Sequence, residues 1–165
     1  ILVLCIRIES KGPAFFTQKR IGARCRHFYI YKFRTMRIET PRDVPTHMLP
    51  NPDQYHTKVG RFLRRFSLDE LPQLYNIFRG EMSFVGPRPA LWNQYDLVRI
   101  RENYKANNIR PGLTGWAQVN GRDELPIPVK ARLDGEYFEK MSFLLDIKII
   151  IMTFKKVQTA EGVKL

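Results

Sequence analysis

The chain has 165 residues, of which 44% are hydrophobic and 27% are charged, and its formal net charge is +12. This length suits a single folded domain, and the apolar fraction excludes an intrinsically disordered chain. The two cysteines, Cys5 and Cys25, belong to no CxxC pair and no Cys/His cluster. That pattern argues against a disulfide framework and a zinc site, and it favours a reducing compartment.

The positive charge is concentrated near the start of the chain. Between Arg7 and Arg37 there are nine Lys or Arg residues and one acidic residue, Glu9. Such a patch predicts an anionic partner, which is nucleic acid, a lipid headgroup or a phosphorylated substrate. Aromatic side chains lie among the basic ones, so a nucleic-acid-binding module is one alternative function. A membrane-surface scaffold without catalytic activity is another.

The N-terminal third combines a short apolar run with a predicted β-hairpin. Residues 1–6 are apolar, which is far too short to span a bilayer, and they are interpreted as the end of a strand or helix. Residues 14–19 and 27–35 are rich in aromatic and β-branched residues and predict two strands joined by a Gly- and Arg-containing turn. Residues 40–57 contain four prolines and predict a loop.

Two short helices are predicted next. Residues 58–66 have apolar side chains at helical spacing and predict a basic helix. The following helix is expected to start with Asp69 as its N-cap and to end near Gly80. A capping box from Ser67 to Glu70 would place Pro72 deeper in the helix, so the Asp69 frame is preferred.

The C-terminal half contains two Pro/Gly-rich stretches, at 86–89 and 110–115, with a helix predicted over about 91–107. A long helical pattern covers 129–157, with a break near Ser142. One apolar stripe of its last part consists of Phe143, Ile147, Ile150, Ile151 and Phe154, and a second consists of Leu145, Ile149 and Met152. A helix that is apolar on two sides is expected to be buried on both sides. One side would pack against the protein core, and the other would contact a membrane surface, an oligomer partner or another part of the core.

These elements predict an α+β fold. We expect one catalytic domain over residues 1–165, compact and dominated by helices, with an N-terminal β-hairpin, long functional Pro/Gly loops and an amphipathic C-terminal helix.

Asp69 and Glu70 are the candidate chemical centre. One of two neighbouring carboxylates can bind a divalent cation while the other attacks phosphorus, and a helix N-terminus favours a phosphate. An Asp-Glu pair at a helix start is, however, commonly surface charge that complements the helix dipole. Asp123-Glu124-Leu125-Pro126 repeats the tetrapeptide at 69–72, so the letters alone do not identify a site.

The surroundings distinguish the first pair. Three arginines precede it between residues 61 and 65, and Arg88 lies between Pro87 and Pro89. Flanking prolines limit the entropy that is lost when the guanidinium binds a phosphate. Arg110 occupies a second turn of this kind. The set suggests a diphosphate site.

Several stretches of the sequence resemble motifs of a known family, and they occur in the same order along nearly the whole chain. They are residues 12–13 and 17–22, 31–36, 64–74 with Asn76, 79–89, 110–122 and 142–148. The sequence resembles the bacterial sugar transferases, also called monotopic phosphoglycosyl transferases. The resemblance implies transfer of a sugar phosphate from a UDP-sugar to polyprenyl (undecaprenyl) phosphate, with release of UMP, in the first step of a surface polysaccharide or glycoconjugate pathway.

The resemblance also implies roles for particular residues. The family's catalytic dyad falls on Asp69 and Glu70 and not on the second pair. Asp69 would attack the sugar-bearing phosphate and form a covalent intermediate, and Glu70 would bind Mg²⁺. The substrate- and phosphate-binding residues are expected to be Lys32, Arg64, Arg88, Arg110 and Gln118.

The location follows from the same resemblance. Family members act on the cytoplasmic face of the bacterial cell membrane, and residues 1–8 would be the end of a membrane-inserted helix. The expected partners are therefore a UDP-sugar, polyprenyl phosphate and the inner-membrane surface, with no nucleic acid.

Overall fold

The computed structural model describes residues 1–41, 54–121 and 125–159. Its helices are α1 (Leu2–Glu9), α2 (Lys58–Arg65), α3 (Gln73–Phe78), α4 (Tyr95–Asn103), α5 (Trp116–Val119), α6 (Ile127–Lys140) and α7 (Phe143–Thr159). Its strands are β1 (Phe15–Ile21), β2 (His27–Phe33), β3 (Ser83–Val85) and β4 (Gly112–Thr114). The predicted α+β class, with helices dominant, is confirmed. The second Asp-Glu pair, at 123–124, lies outside the described residues, as does most of the predicted loop at 40–57.

The predicted β-hairpin is confirmed. Strands β1 and β2 pair antiparallel, from Phe15 opposite Phe33 to Ile21 opposite His27. A 3-10 turn at Ala23–Cys25 connects them. Alternate side chains of β2 point to opposite faces, so Phe28 and Ile30 are buried against Met82 while Tyr29 is exposed.

Residues 2–9 form a helix, so of the two alternatives for the first residues the helix is confirmed. The carboxylate of Glu9 at the end of α1 accepts hydrogen bonds from the amides of Lys58 (2.6 Å) and Val59 (2.8 Å) at the start of α2. The Thr57 hydroxyl accepts from the Gly60 amide at 2.9 Å. These contacts satisfy amides that a helix start leaves without partners, which explains why α2 begins where the sequence predicted.

The segment after α2 differs from the prediction, because Asp69 does not cap a helix. Residues Leu68–Glu70 form a 3-10 turn, and α3 begins only after Pro72. Pro72 has no N–H to donate to the Leu68 carbonyl, as a continuous α-helix would require. That carbonyl instead accepts from the Leu71 amide at 3.3 Å. The helix ends before Gly80, as expected, and Gly80 has a φ of +74°.

The two Pro/Gly-rich stretches meet in a parallel ribbon that the sequence did not predict. Ser83 pairs with Gly112, and Val85 pairs with Thr114. Beyond the strands, the Gly86 amide donates to the Thr114 carbonyl, and the Gly112 amide donates to the Pro87 carbonyl, both at 2.9 Å. A Cβ on Gly115 would lie 2.0 Å from the Gly86 carbonyl oxygen, so this close approach of two backbones requires glycine.

The C-terminal pattern forms two helices that break at Met141 and Ser142, as predicted, although α6 starts at Ile127. The predicted stripe of Leu145, Ile149 and Met152 packs into the core with Val85, Val119 and Tyr137. Of the other stripe, Ile150 also packs there, whereas Phe143, Ile147, Ile151 and Phe154 are exposed. Within the described residues, α7 is therefore covered on one side only. None of the helices there is long and apolar enough to cross a membrane.

Candidate active site

A tight turn presents the two candidate carboxylates. Ser67 has left-handed backbone angles (φ 54°, ψ 22°), which are uncommon for a residue other than glycine and often occur at functional sites. In the 3-10 turn that follows, neighbouring side chains point about 120° apart. Asp69 is 9% exposed, and the Glu70 side chain is 16% exposed. Adjacent carboxylates are thus held in one place but in different environments.

Glu70 binds two cations that come from distant parts of the chain. The Lys32 ammonium, from β2, lies 2.6 Å from Oε1 of Glu70. Both terminal nitrogens of Arg88, from the turn after β3, lie 3.4 Å from the same oxygen. Asp69 accepts no hydrogen bond from the described part of the chain. Among the described residues, the site therefore neutralises the Glu70 carboxylate and offers no hydrogen-bond donor to the Asp69 carboxylate.

This difference moves the two pKa values apart. Burial raises the pKa of Asp69, and the opposing attraction of Lys32 does not cancel this effect. Burial also acts to raise the pKa of Glu70, but Lys32 and then Arg88 outweigh it and lower that pKa to about 2. Paired carboxylates with diverging pKa values commonly have separate chemical roles. Here Glu70 is a fixed anion, and Asp69 is the more basic group.

The turn that carries Arg88 is held on both sides. On its N-terminal side, the turn continues directly from β3, which pairs with β4. On its C-terminal side, the Ala90 carbonyl accepts a hydrogen bond of 2.9 Å from the Ile21 amide at the end of β1. The guanidinium of Arg20 donates to the Pro89 carbonyl at 3.0 Å. Arg20 belongs to the basic patch seen in the sequence, so part of that patch orders the backbone beside Arg88.

One cavity of about 1190 Å³ contains most of the predicted site residues in its lining. These are Lys32, Arg64, Asp69, Glu70, Arg88 and Gln118. Ligand pockets commonly measure about 300–1,000 Å³, so this space is large enough for a small-molecule ligand. Arg110 does not line the cavity. It is exposed, and its guanidinium lies about 4.0 Å from the position that a Cβ on Gly80 would occupy.

Gln118 lies in the lining of this cavity, but its amide oxygen is fully buried. Its Nε2 donates to the Leu113 carbonyl at 3.1 Å, and its Oε1 is buried without a partner in the described chain. The phosphate-binding role expected of Gln118 therefore stays a prediction.

The sequence did not predict the contacts of two sets of buried polar residues. Arg101 of α4 and Asp134 of α6 form a buried ion pair at 2.6 Å, and both line the cavity. Asn76 of α3 is completely buried and bonds to the backbone of β2. The resemblance includes Asn76, and Arg101 and Asp134 are polar residues within predicted helices, but these signals do not reveal the partners.

The carboxylates suit Mg²⁺ only together with a substrate. Among the described residues, no group of three or more His, Cys, Asp or Glu side chains forms a metal site. Mg²⁺ is commonly bound through one or two carboxylates plus substrate phosphates and water, and the Asp69–Glu70 pair fits that mode.

Comparison with known proteins gives a consistent result. The family described as "Bacterial sugar transferase" matches residues 1–160. The chain is 41% identical to "Uncharacterized sugar transferase EpsL" of Bacillus subtilis, over 98% of this chain and 78% of that protein.

Two further relatives are longer and have more specific names. The chain is 41% identical to "UDP-glucose:undecaprenyl-phosphate glucose-1-phosphate transferase" of Xanthomonas campestris, over 92% of this chain and 33% of that protein. It is 34% identical to "UDP-N-acetylgalactosamine-undecaprenyl-phosphate N-acetylgalactosaminephosphotransferase" of Aeromonas hydrophila, over 96% of this chain and 38% of that protein. The chain thus spans only 33% and 38% of these two proteins. The family match over almost the whole length confirms the resemblance: the chain belongs to the bacterial sugar transferase family.

Proposed function

We propose that this protein transfers a sugar 1-phosphate from a UDP-sugar to polyprenyl phosphate and releases UMP, in the first step of a surface polysaccharide or glycoconjugate pathway. The names of two relatives support both the donor and the acceptor. The observation that carries the proposal is the buried Asp69, which lies beside a Glu70 already bound to Lys32 and Arg88.

The reaction has two steps at one phosphorus atom. A carboxylate oxygen of Asp69 attacks the sugar-bearing phosphorus, the bond to the bridging oxygen of the diphosphate breaks, and UMP leaves with the electron pair. An oxygen of polyprenyl phosphate then attacks the same phosphorus and breaks its bond to Asp69. The carboxylate is restored, and the product is polyprenyl diphosphate sugar. The raised pKa of Asp69 makes it a better nucleophile than Glu70.

Cationic side chains stabilise the charge that develops. Arg88 and Lys32 contact Glu70. The positive charge of Arg64 is near enough to Asp69 to oppose part of the rise that burial causes in the pKa of Asp69. The three side chains bind phosphate oxygens and hold the diphosphate in line with Asp69. Glu70 would hold Mg²⁺ together with the substrate diphosphate, and the ion would supply further neutralisation of negative charge.

The acceptor is a lipid, so we place the protein on the cytoplasmic face of the cell membrane. The exposed stripe of α7 supports this location. Phe143, Leu144, Ile147, Ile151 and Phe154 are exposed, and they share one side of the helix. Lys148 and Lys155 on the same helix are also exposed, and lysines beside an apolar face favour a surface of anionic lipids.

Mass spectrometry of the intact protein tests the mechanism. After incubation with a panel of UDP-sugars and Mg²⁺, we expect a mass increase equal to one sugar phosphate, located on Asp69, with UMP in solution. The sugar that gives the adduct identifies the donor. Asp69→Asn should abolish both the adduct and UMP release.

The repeated tetrapeptide provides a matched control. Asp123→Asn makes the same change within the same four letters and should leave UMP release intact. Full activity of Asp69→Asn, or an adduct on another residue, would refute the role of Asp69.

A further inference from the structure

Asn76 occupies the edge of β2 that no strand of the described residues covers. β1 pairs with one edge of β2, and the backbone groups of Tyr29 and Tyr31 point out from the other edge. The Oδ1 of Asn76 accepts from the Tyr31 amide at 3.1 Å, and its Nδ2 donates to the Tyr29 carbonyl at 2.8 Å. One side-chain amide therefore supplies the donor and the acceptor that a neighbouring strand would supply.

A second contact fixes the direction of this amide. Nδ2 also donates to the carboxylate of Glu81 at 2.8 Å, so both N–H groups of the amide are used. The Asn76 carbonyl accepts from the amides of Glu81 (3.0 Å) and Met82 (3.3 Å), which ties the end of α3 to the start of β3. Asn76 is 0% exposed, so no solvent competes for these bonds. The contact is specific and rigid.

These bonds hold the two parts of the dyad site together. Lys32 directly follows Tyr31, and its side chain leaves the strand on the same face as Ile30. Asn76 lies on α3, which directly follows the turn carrying Glu70. The strand that provides the ammonium and the segment that provides the carboxylate are thus joined by one amide, and the ion pair between them measures 2.6 Å.

We propose that Asn76 is a positioning residue that sets Lys32 against Glu70 for the transfer reaction. Asn76 does not line the cavity, so it acts through Lys32 and does not touch the substrate. The expected effect of Asn76 on transfer rests on the proposed function. The placement of Lys32 against Glu70 rests only on the contacts described above.

A double-mutant cycle measures the coupling. Asn76→Asp keeps the acceptor for Tyr31 and loses both donated bonds. It should lower kcat/KM for UMP release by up to about 10²-fold, the scale of a misplaced catalytic group. In a Lys32→Met background the same change should alter kcat/KM by less than about 2-fold, because the residue through which Asn76 acts is already absent. Effects that multiply would overturn the proposal.

A matched control separates positioning from general loss of stability. Asn107→Asp makes the same substitution and removes a donated bond of 2.8 Å to the Val98 carbonyl, and Asn107 does not line the cavity of the dyad. It should leave kcat/KM unchanged. An Asn76→Asp variant that behaves like Asn107→Asp would contradict a positioning role.

Two measurements do not depend on turnover, so they keep the inference separate from the proposed function. Acylation of Lys32 by an amine-reactive reagent, followed by peptide mass spectrometry, should be slow in the wild type and faster in Asn76→Asp. In the wild type, the Tyr31 amide should be protected from hydrogen exchange, although no strand within residues 1–41, 54–121 and 125–159 pairs with this edge of β2. Fast exchange of Tyr31, or unchanged Lys32 reactivity, would refute the geometry, whereas a wild type inactive on every UDP-sugar would refute only the function.

Discussion

Replacing Lys32 by methionine tests how strongly the site depends on its central ion pair. Methionine keeps the length of the apolar part of the side chain and removes the ammonium that lies 2.6 Å from Glu70. The Glu70 side chain is only 16% exposed, so water screens the remaining charge weakly. Arg88, at 3.4 Å, stays as its only nearby cation among the described contacts. The variant is therefore expected to fold with lower stability.

The structure sets the magnitude. The neighbouring cations lower the pKa of Glu70 from 4.5 to about 2, and Lys32 contributes more than Arg88. At about 1.36 kcal/mol for each pH unit, the full shift corresponds to about 3 kcal/mol. Because the pKa is lower in the folded state, this stabilisation is present above about pH 4.5 and is lost as the pH falls towards 2. Lys32→Met should therefore cost about 2–3 kcal/mol at pH 7 and of order 1 kcal/mol less at pH 4.

Urea unfolding at the two pH values measures this difference. Lys11→Met is a suitable control, because it removes a lysine at an exposed position and should change the free energy of unfolding by less than about 0.5 kcal/mol. A cost for Lys32→Met that is the same at pH 7 and pH 4, or no cost at pH 7, would show that Glu70 does not depend on this ammonium.

Three other changes have definite expected outcomes. Burial raises the pKa of Asp69, so its charge destabilises the fold at neutral pH. Asp69→Asn should thus raise the melting temperature while it abolishes transfer, and about 1 kcal/mol corresponds to a rise of roughly 2–4 °C in calorimetry. Arg101→Met leaves Asp134 buried and unpaired and should cost about 3–5 kcal/mol in urea unfolding; a cost below 1 kcal/mol would refute a structural role for the pair. Ile149→Ala, at a position that is 0% exposed, should cost about 2–5 kcal/mol, whereas Leu144→Ala on the 80% exposed side of the same helix should cost less than about 0.5 kcal/mol.

Local signals in the sequence predicted the elements whose formation depends on near neighbours. The aromatic and β-branched residues of β1 and β2, the apolar spacing of α2 and the break near Ser142 are all signals within a few residues, and the structure contains these elements. The family resemblance also came from the sequence alone, because motifs in order along the chain require no coordinates. The start of α3 was mispredicted, although Pro72 was visible, because a 3-10 turn and an α-helical turn share the same short-range pattern.

Contacts between distant residues were decided only by the tertiary structure. The tetrapeptide at 69–72 is identical to the one at 123–126, so the tetrapeptide alone does not identify the site. The pKa of Glu70 is low chiefly because Lys32, 38 residues earlier in the chain, contacts its carboxylate. In the same way, the two Pro/Gly stretches became a paired ribbon because Gly86 and Gly115 allow two backbones to touch. Sequence patterns predict helices, strands and turns from neighbouring residues. The burial of a side chain and the formation of an ion pair depend on contacts between residues that are distant in the sequence. The sequence alone therefore identified the family and the candidate dyad, and the fold determined the environment that shifts the pKa values of Asp69 and Glu70 in opposite directions.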